Sequence, residues 1–231
     1  METQIPVVSS EKRAKAAVMM IYSVTIIYAV NVLADIANKI FFDGAIGAEE
    51  GAHGGIIITL LFASIAVILL ALALISVVTF IMWLWRAYSN LYALGCHDLY
   101  NRAWTVAAWF IPFLNLYLPY KIMQTMFKGI NIQLMGKSTL LQSSTQADGS
   151  KIGVWWTLWI ISGFFGNMEI KANNLLSILG EPFPTILSIV SVVLLFFTAN
   201  YAVQLIEEYT RAENILLSEE EESDDNIGAL Y

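Results

Sequence analysis

The chain has 231 residues, of which 58% are hydrophobic and only 13% charged, and its mean hydropathy is +0.65, whereas soluble domains carry about a quarter charged residues. Most of the net charge of −7 sits in Glu219–Glu222, Asp224 and Asp225, so the rest is close to neutral; with twelve Lys and Arg and no basic patch interleaved with aromatics, nucleic acid is not the expected partner. Cys96 is the only cysteine, which excludes an internal disulfide and a cysteine metal cluster.

In chain order, residues 1–15 form a cytoplasmic N-terminus whose Lys12, Arg13 and Lys15 precede the first expected span, 16–37. The apolar stretch Ala16–Ala34 is longer than the apolar region of a cleaved signal and no A-x-A site follows, so it reads as retained. Asp43–Gly55 is an outer loop. The second span, 55–85, is an uncharged run of Ile, Leu, Val, Ala and Phe that exceeds the ~30 Å hydrocarbon core at ~1.5 Å per residue. Leu84, Tyr88, Leu91 and Tyr92 continue its stripe at helical spacing until Gly95 offers a stop.

The next apolar stretch, 103–120, contains Pro112 and Pro119, each of which removes a backbone donor and clashes with the preceding turn. Beyond it, Ile122, Met123, Met126, Phe127 and Ile130 share one face of a helix over 121–135, with Lys121, Gln124, Thr125, Lys128 and Asn131 on the other. That pattern predicts a helix lying in the headgroup plane. Gly136–Gly149 reads as a flexible linker. Two further spans are expected at 152–168 and 184–206, the last opening on Pro184. Glu169–Phe183 is an outer loop between them, and 218–231 is an acidic disordered tail.

Positive charge chooses the topology. With 103–120 not crossing, ten cations (Lys12, Arg13, Lys15, Arg86, Arg102, Lys121, Lys128, Lys137, Lys151 and Arg211) are cytoplasmic and two, Lys39 and Lys171, are outside. A crossing would divide them six and six. The expected architecture is therefore an all-α integral membrane protein, one membrane domain over 16–217. It has four transmembrane helices, both termini cytoplasmic, and a proline-bearing re-entrant or interfacial hairpin on the cytoplasmic side. Such backbone is tolerated at membrane depth only where protein or water satisfies it. Trp83, Trp85, Trp104, Trp109, Trp155, Trp156 and Trp159 gather near that boundary, as amphipathic rings prefer.

Polar residues within the apolar stretches are the candidates for function. Arg86 and Asn90 share a helix face, and the hairpin returns Asn115 to similar depth. Two roles are open. In one, Arg86 and Asn90 hydrogen-bond the carbonyls freed by Pro112 and Pro119 and so hold the hairpin, with Trp109 and Tyr120 packing it. In the other, Arg86, Arg102 and Lys121, with Asn90 and Asn115, receive an anionic lipid headgroup or acidic ligand, which a planar guanidinium suits. Asn31, Asp35 and Asn38 form a polar stripe that reads as a hydrated helix end. Asn200 and Gln204 read as interhelical packing contacts. Cys96, His97 and Asp98 are sequence neighbours that do not share a face, so no metal site is expected. Paired carboxylates, a Gly-rich phosphate loop and a G-x-S-x-G elbow are absent from the sequence.

The blocks W-L-W-R-A-Y-S-N-L-Y-A-L-G at Trp83–Gly95, W-F-I-P-F-L-N-L-Y-L-P-Y at Trp109–Tyr120 and W-W-T-L-W-I-I-S at Trp155–Ser162 occur in that order. Together they resemble the bacterial membrane family called domain of unknown function 4328, over more than half the chain. The resemblance implies a multi-span bacterial membrane domain with R-A-x-x-N carried by Arg86, Ala87 and Asn90. It also implies F-x-P-x-x-N-x-x-x-P-Y, carried by Phe110, Pro112, Asn115, Pro119 and Tyr120. It implies no activity.

The resulting expectation is a non-catalytic assembly or interaction module of the bacterial cytoplasmic (inner) membrane, without cofactor. Its expected partners are membrane lipids and a membrane protein or a second copy of itself. The alternative is a small transporter or a lipid- or anionic-ligand-binding protein with a site between the hairpin and the second helix.

Overall fold

A computed structural model describes residues 7–41, 53–137, 146–179 and 182–228. Regular structure among them is helical throughout: α1 Glu11–Phe41, α2 His53–Ala93, α3 Trp104–Ala107, α4 Pro112–Asn115, α5 Leu118–Lys137, α6 Lys151–Leu179 and α7 Pro182–Gly228. Among the described residues, three helices are long and apolar enough to cross a membrane: α1, the Ser64–Ala93 part of α2 and the Pro182–Ser218 part of α7. The expectation of four is corrected at α6. That helix forms where 152–168 was expected, but three Trp, three Gly, Ser162, Thr157 and Asn167 dilute its aliphatic content. It also runs on to Leu179 through most of the expected outer loop 169–183. The other expected outer loop, 43–55, lies outside the described residues apart from the first residues of α2.

The chain divides into two compact units. The first comprises 1–18, 78–156 and 201–231 and contains most of the buried core: Trp83, Leu84, Tyr88, Leu91, Ile122, Met126, Ile130, Leu205, Ile206 and Tyr209. The stripe read on α2 accounts for Leu84, Tyr88 and Leu91, all fully buried. The apolar face read on α5 is also real, but Ile122, Met123, Met126, Phe127 and Ile130 are all buried in protein. A Cβ on Gly129 would stand 3.3 Å from Leu91 Cδ1, and the Phe127 and Tyr209 rings are 5.6 Å apart. Helix α5 thus buries its apolar face in the core of this unit. Its neighbours α2 and α7 supply the apolar surface that the amphipathic pattern left unnamed.

The second unit, 19–77 with 157–200, turns its apolar side chains outward. Ile26, Val30 and Leu33 on α1, Val67, Leu70 and Leu74 on α2, and Ile186, Ile189, Val193 and Phe196 on α7 are all exposed. Only 6% of the most apolar window of α2 is buried. Here Asp35 pairs with Lys39 at 2.6 Å, and Lys39 also donates to Thr185 Oγ1 at 3.1 Å. Asp35 of the polar stripe is therefore paired within its own helix near an exposed end, where an ion pair is worth about 1 kcal/mol or less. Asn200 donates to Phe196 O of its own helix and not across to a neighbour.

Helix boundaries follow local chemistry. Gly95 adopts φ +71°, its N–H bonds Tyr92 O at 3.1 Å, and Cys96 N–H bonds Leu91 O at 3.0 Å. That pair of bonds is the Schellman arrangement, and it ends α2 where the sequence placed the stop. At α6, Asp148 accepts from Ser150 N–H at 2.8 Å and from Ser150 Oγ at 2.9 Å. Those Ser150 bonds hold the Asp148 carboxyl below its ordinary range. The linker 136–149 is described only at its ends, and its far end is pinned. Asn131 Nδ2 donates to Ala147 O at 2.9 Å, and Ala147 N–H donates to Asn131 Oδ1 at 2.8 Å. Residues 218–228, expected to be a disordered tail, continue α7 as helix. Four consecutive glutamates are good helix formers, and extending an existing helix avoids the cost of nucleation.

Because a Cβ on Gly95 would meet nothing within 4 Å, Gly95→Ala is expected to cost only the left-handed backbone penalty, about 1 kcal/mol, and Gly95→Asn less. Thermal unfolding in detergent checks this; equal values for the two variants and the parent would refute the cap.

Candidate functional site

The segment 103–117 is broken at Pro112. Ile111 is extended at φ −95°, ψ 112°, as a residue before proline prefers, and Pro112 takes the first position of the one-turn helix α4. Helices α3 and α4 have four residues each, far short of the ~20 that a crossing needs. Both pack on α5. Pro119 is buried in the first turn of α5.

Aromatic rings hold this hairpin to the core. Phe80 lies 5.6 Å from Trp83, 5.6 Å from Trp109 and 6.0 Å from Trp155. Trp109 meets Trp156 edge-on at 6.0 Å, and Trp156 Nε1 donates to Leu116 O at 3.2 Å. A tryptophan of α6, and not Arg86 or Asn90, therefore serves this hairpin carbonyl. Trp83 stacks edge-on to Tyr209 at 6.0 Å and donates Nε1–H to Thr210 Oγ1 at 3.2 Å. At the tip, Phe110, Ile111, Phe113, Leu116 and Tyr117 are exposed, with Phe113 at 88%.

The expected site residues separate into different environments. Arg102 lies over the Trp85 ring at 5.3 Å, and Lys121 lies 5.5 Å from Tyr117 and 5.8 Å from Tyr120. The two cations thus rest on separate aromatic faces beside the hairpin. Tyr120 also accepts from Gln124 Nε2 at 2.6 Å. Arg86 is half-buried on α2. Asn115 is half-buried, and its Oδ1 is buried without a hydrogen-bond partner among the described residues.

Asn90 turns elsewhere. Its Nδ2 donates to Val8 O at 2.8 Å and to Glu213 Oε1 at 2.8 Å, while its Oδ1 accepts Val8 N–H at 3.3 Å. Glu213, at 0% exposure, accepts through Oε2 from Ser10 N–H at 2.9 Å and from Ser10 Oγ. Ser10 O in turn accepts from Arg13 and Ala14, so Ser10 starts α1 and the carboxylate caps it. An acid there also suits the helix dipole. Glu213, Ser10 and Val8 went unread in the sequence. A signal existed: Ile206, Tyr209, Glu213 and Leu216 fall at i, i+3, i+7 and i+10, which puts the acid on the buried face of α7.

Near the turn after α2, Cys96 is half-buried, accepts from Gln133 Nε2 at 3.2 Å, and has its thiol pushed up by burial. Among the described residues no group of three or more His, Cys, Asp or Glu is arranged to hold a metal ion.

These features define an all-helical protein with three helices able to cross a membrane, consistent with a membrane protein, and a proline-broken hairpin packed on tryptophans. A family model described as Domain of unknown function (DUF4328) matches residues 57–211, and the chain belongs to that family. No curated protein and no solved structure matches it.

Since the Asn115 Oδ1 gains no hydrogen bond in compensation for its burial, Asn115→Leu is expected to leave stability unchanged or raise it by up to about 1 kcal/mol. Unfolding followed by tryptophan fluorescence tests this; a loss above about 2 kcal/mol would mean that the amide has a partner.

Proposed function

We propose that this chain is a non-catalytic module of the bacterial cytoplasmic membrane. In this reading the hairpin dips into the cytoplasmic leaflet and forms the surface that meets lipid and neighbouring membrane proteins, or a second copy of the chain. The observation that carries the reading is the exposed apolar tip, Phe110, Phe113, Leu116 and Tyr117, flanked by Arg102 and Lys121 on aromatic rings. In water such a tip gains nothing from its exposure. In lipid its rings are solvated while the flanking cations reach phosphate oxygens.

The outward apolar side chains of α1, α2 and α7 support the same surroundings. The ten-to-two distribution of cations supports cytoplasmic termini. So do the Ser10–Glu213 bonds, because they bring the start of α1 and a late turn of α7 within hydrogen-bonding distance. Same-side ends need an even number of crossings, which the three apolar helices alone do not supply; in this reading α6 returns the chain while shielded by protein and not as a lipid-facing span. Its lower apolarity suits a helix in contact with other helices, as the 3.0 Å bond between Ser162 and Thr198 of α7 illustrates.

The test uses the full chain carrying Cys96→Ser, with Phe113→Cys bearing an environment-sensitive fluorophore, in proteoliposomes. Quenching by brominated lipid and protection from iodide are expected. Iodide quenching without bromolipid quenching would overturn the hairpin placement. In whole cells of the same background, Lys121→Cys should react with an impermeant thiol reagent only after permeabilisation; labelling from outside would overturn the topology.

A further inference from the structure

Within the second unit, α1, α6 and α7 line an open crevice of about 550 Å³, inside the usual size range of small-molecule sites, roughly 300–1,000 Å³. Tyr28, Ser162, Asn167 and Ser191 line it, together with Leu195 and the bare backbone of Gly163 and Gly166. A Cβ on either glycine would meet nothing within 4 Å, so the space beside them is open. None of these side chains carries a charge at neutral pH.

Hydrogen bonds within the lining leave neutral polar groups open to a ligand. Thr198 Oγ1 spends its single proton on Leu194 O at 2.8 Å, so in its 3.0 Å contact with Ser162 it must accept. Ser162 is then the donor, and what remains of its hydroxyl is acceptor lone pairs. Asn167 Nδ2 donates one proton to Gly163 O at 2.7 Å, which leaves its second N–H as a donor and its Oδ1 as an acceptor. Ser191 is 6% exposed and its Oγ is buried without a hydrogen-bond partner among the described residues. A buried hydroxyl left unsatisfied is costly, and this one lies in the wall of the crevice. The lining therefore offers neutral acceptors and donors among apolar surface, which suits a hydroxyl that can do both, and it holds no cation to balance an anion.

We propose that this crevice binds an uncharged, hydroxyl-bearing amphiphile, of which a monoacylglycerol is the simplest form, with its hydroxyls donating to Ser162, Asn167 and Ser191 and its chain lying beside Gly163 and Gly166. The choice of an amphiphile rests on the membrane reading above, whereas the preference for uncharged hydroxyls rests on the lining alone.

The experiment photolabels the purified full chain in nanodiscs with a diazirine monoacylglycerol and maps the modified peptides. Labelling is expected on 157–168 or 186–198, displaced by excess monoolein but not by glycerol or by lysophosphatidic acid. Ser191→Ala should weaken displacement about fivefold, the worth of one neutral hydrogen bond. Gly166→Leu, which fills the open space, should abolish labelling while thermal unfolding stays unchanged. Displacement by glycerol alone would replace the amphiphile with a free polyol and overturn that part of the proposal. Equal displacement by the anionic lipid, or labelling that survives Gly166→Leu, would overturn the site. Alkaline carbonate extraction separates the two readings: release of the protein sinks the membrane reading, whereas a retained protein without labelling sinks only this inference.

Discussion

The first unit is organised around one buried carboxylate. Glu213 is fully enclosed on α7 and is held by Ser10 at the start of α1 and by Asn90 on α2. A carboxylate removed from water is strongly destabilising unless donors converge on it, so these three segments cannot separate without exposing that cost. Asn90 extends the node by clasping both backbone groups of Val8. The N-terminal segment is thereby fixed to the core before α1 begins. Tyr209, one turn earlier on α7, adds a bond to Ala87 O at 3.3 Å and packs between Trp83 and Phe127.

Aromatic packing is the second layer. Pro112 prevents 103–117 from forming one long helix, and the broken backbone needs both covering and hydrogen-bond partners. Trp109 and Trp156 provide the cover, and the Trp156 indole provides a donor to Leu116 O. The outcome is a hairpin whose base is packed and whose tip is not. The two units thus differ in where their apolar groups go. In the first they fill a core around α5; in the second they face outward along α1, α2 and α7 and leave a crevice lined by hydroxyls and an amide.

Much of the architecture was legible because it rests on periodicity and on local stops. The α2 stripe through Leu84, Tyr88 and Leu91 and its end at Gly95 follow from spacing and from glycine's access to positive φ. The proline break at Pro112 follows from the missing donor. What spacing cannot supply is the identity of the opposing surface. The α5 stripe reads the same whether it meets lipid or α2 and α7. Asn90 on the face of Arg86 reads as a partner for the hairpin, yet it serves residues more than eighty positions earlier. Glu213 shows the converse: an acid followed shortly by a run of acids looks like the edge of a solvated tail, and only its register with Ile206, Tyr209 and Leu216 reveals a buried role. Helix α6 was placed in sequence, but its tryptophans and glycines leave it less apolar than a lipid-facing span.

The most direct measurement of this account is a double-mutant cycle on Asn90 and Glu213 in the full chain, using Asn90→Leu, Glu213→Leu and the pair, with unfolding free energies measured in detergent. If the node holds the first unit together, each single change costs about 2 kcal/mol or more because it strands a buried polar partner, and the pair costs less than their sum by about 1–3 kcal/mol. Single changes near zero, or costs that add to within about 0.5 kcal/mol, would contradict the central place given to Glu213.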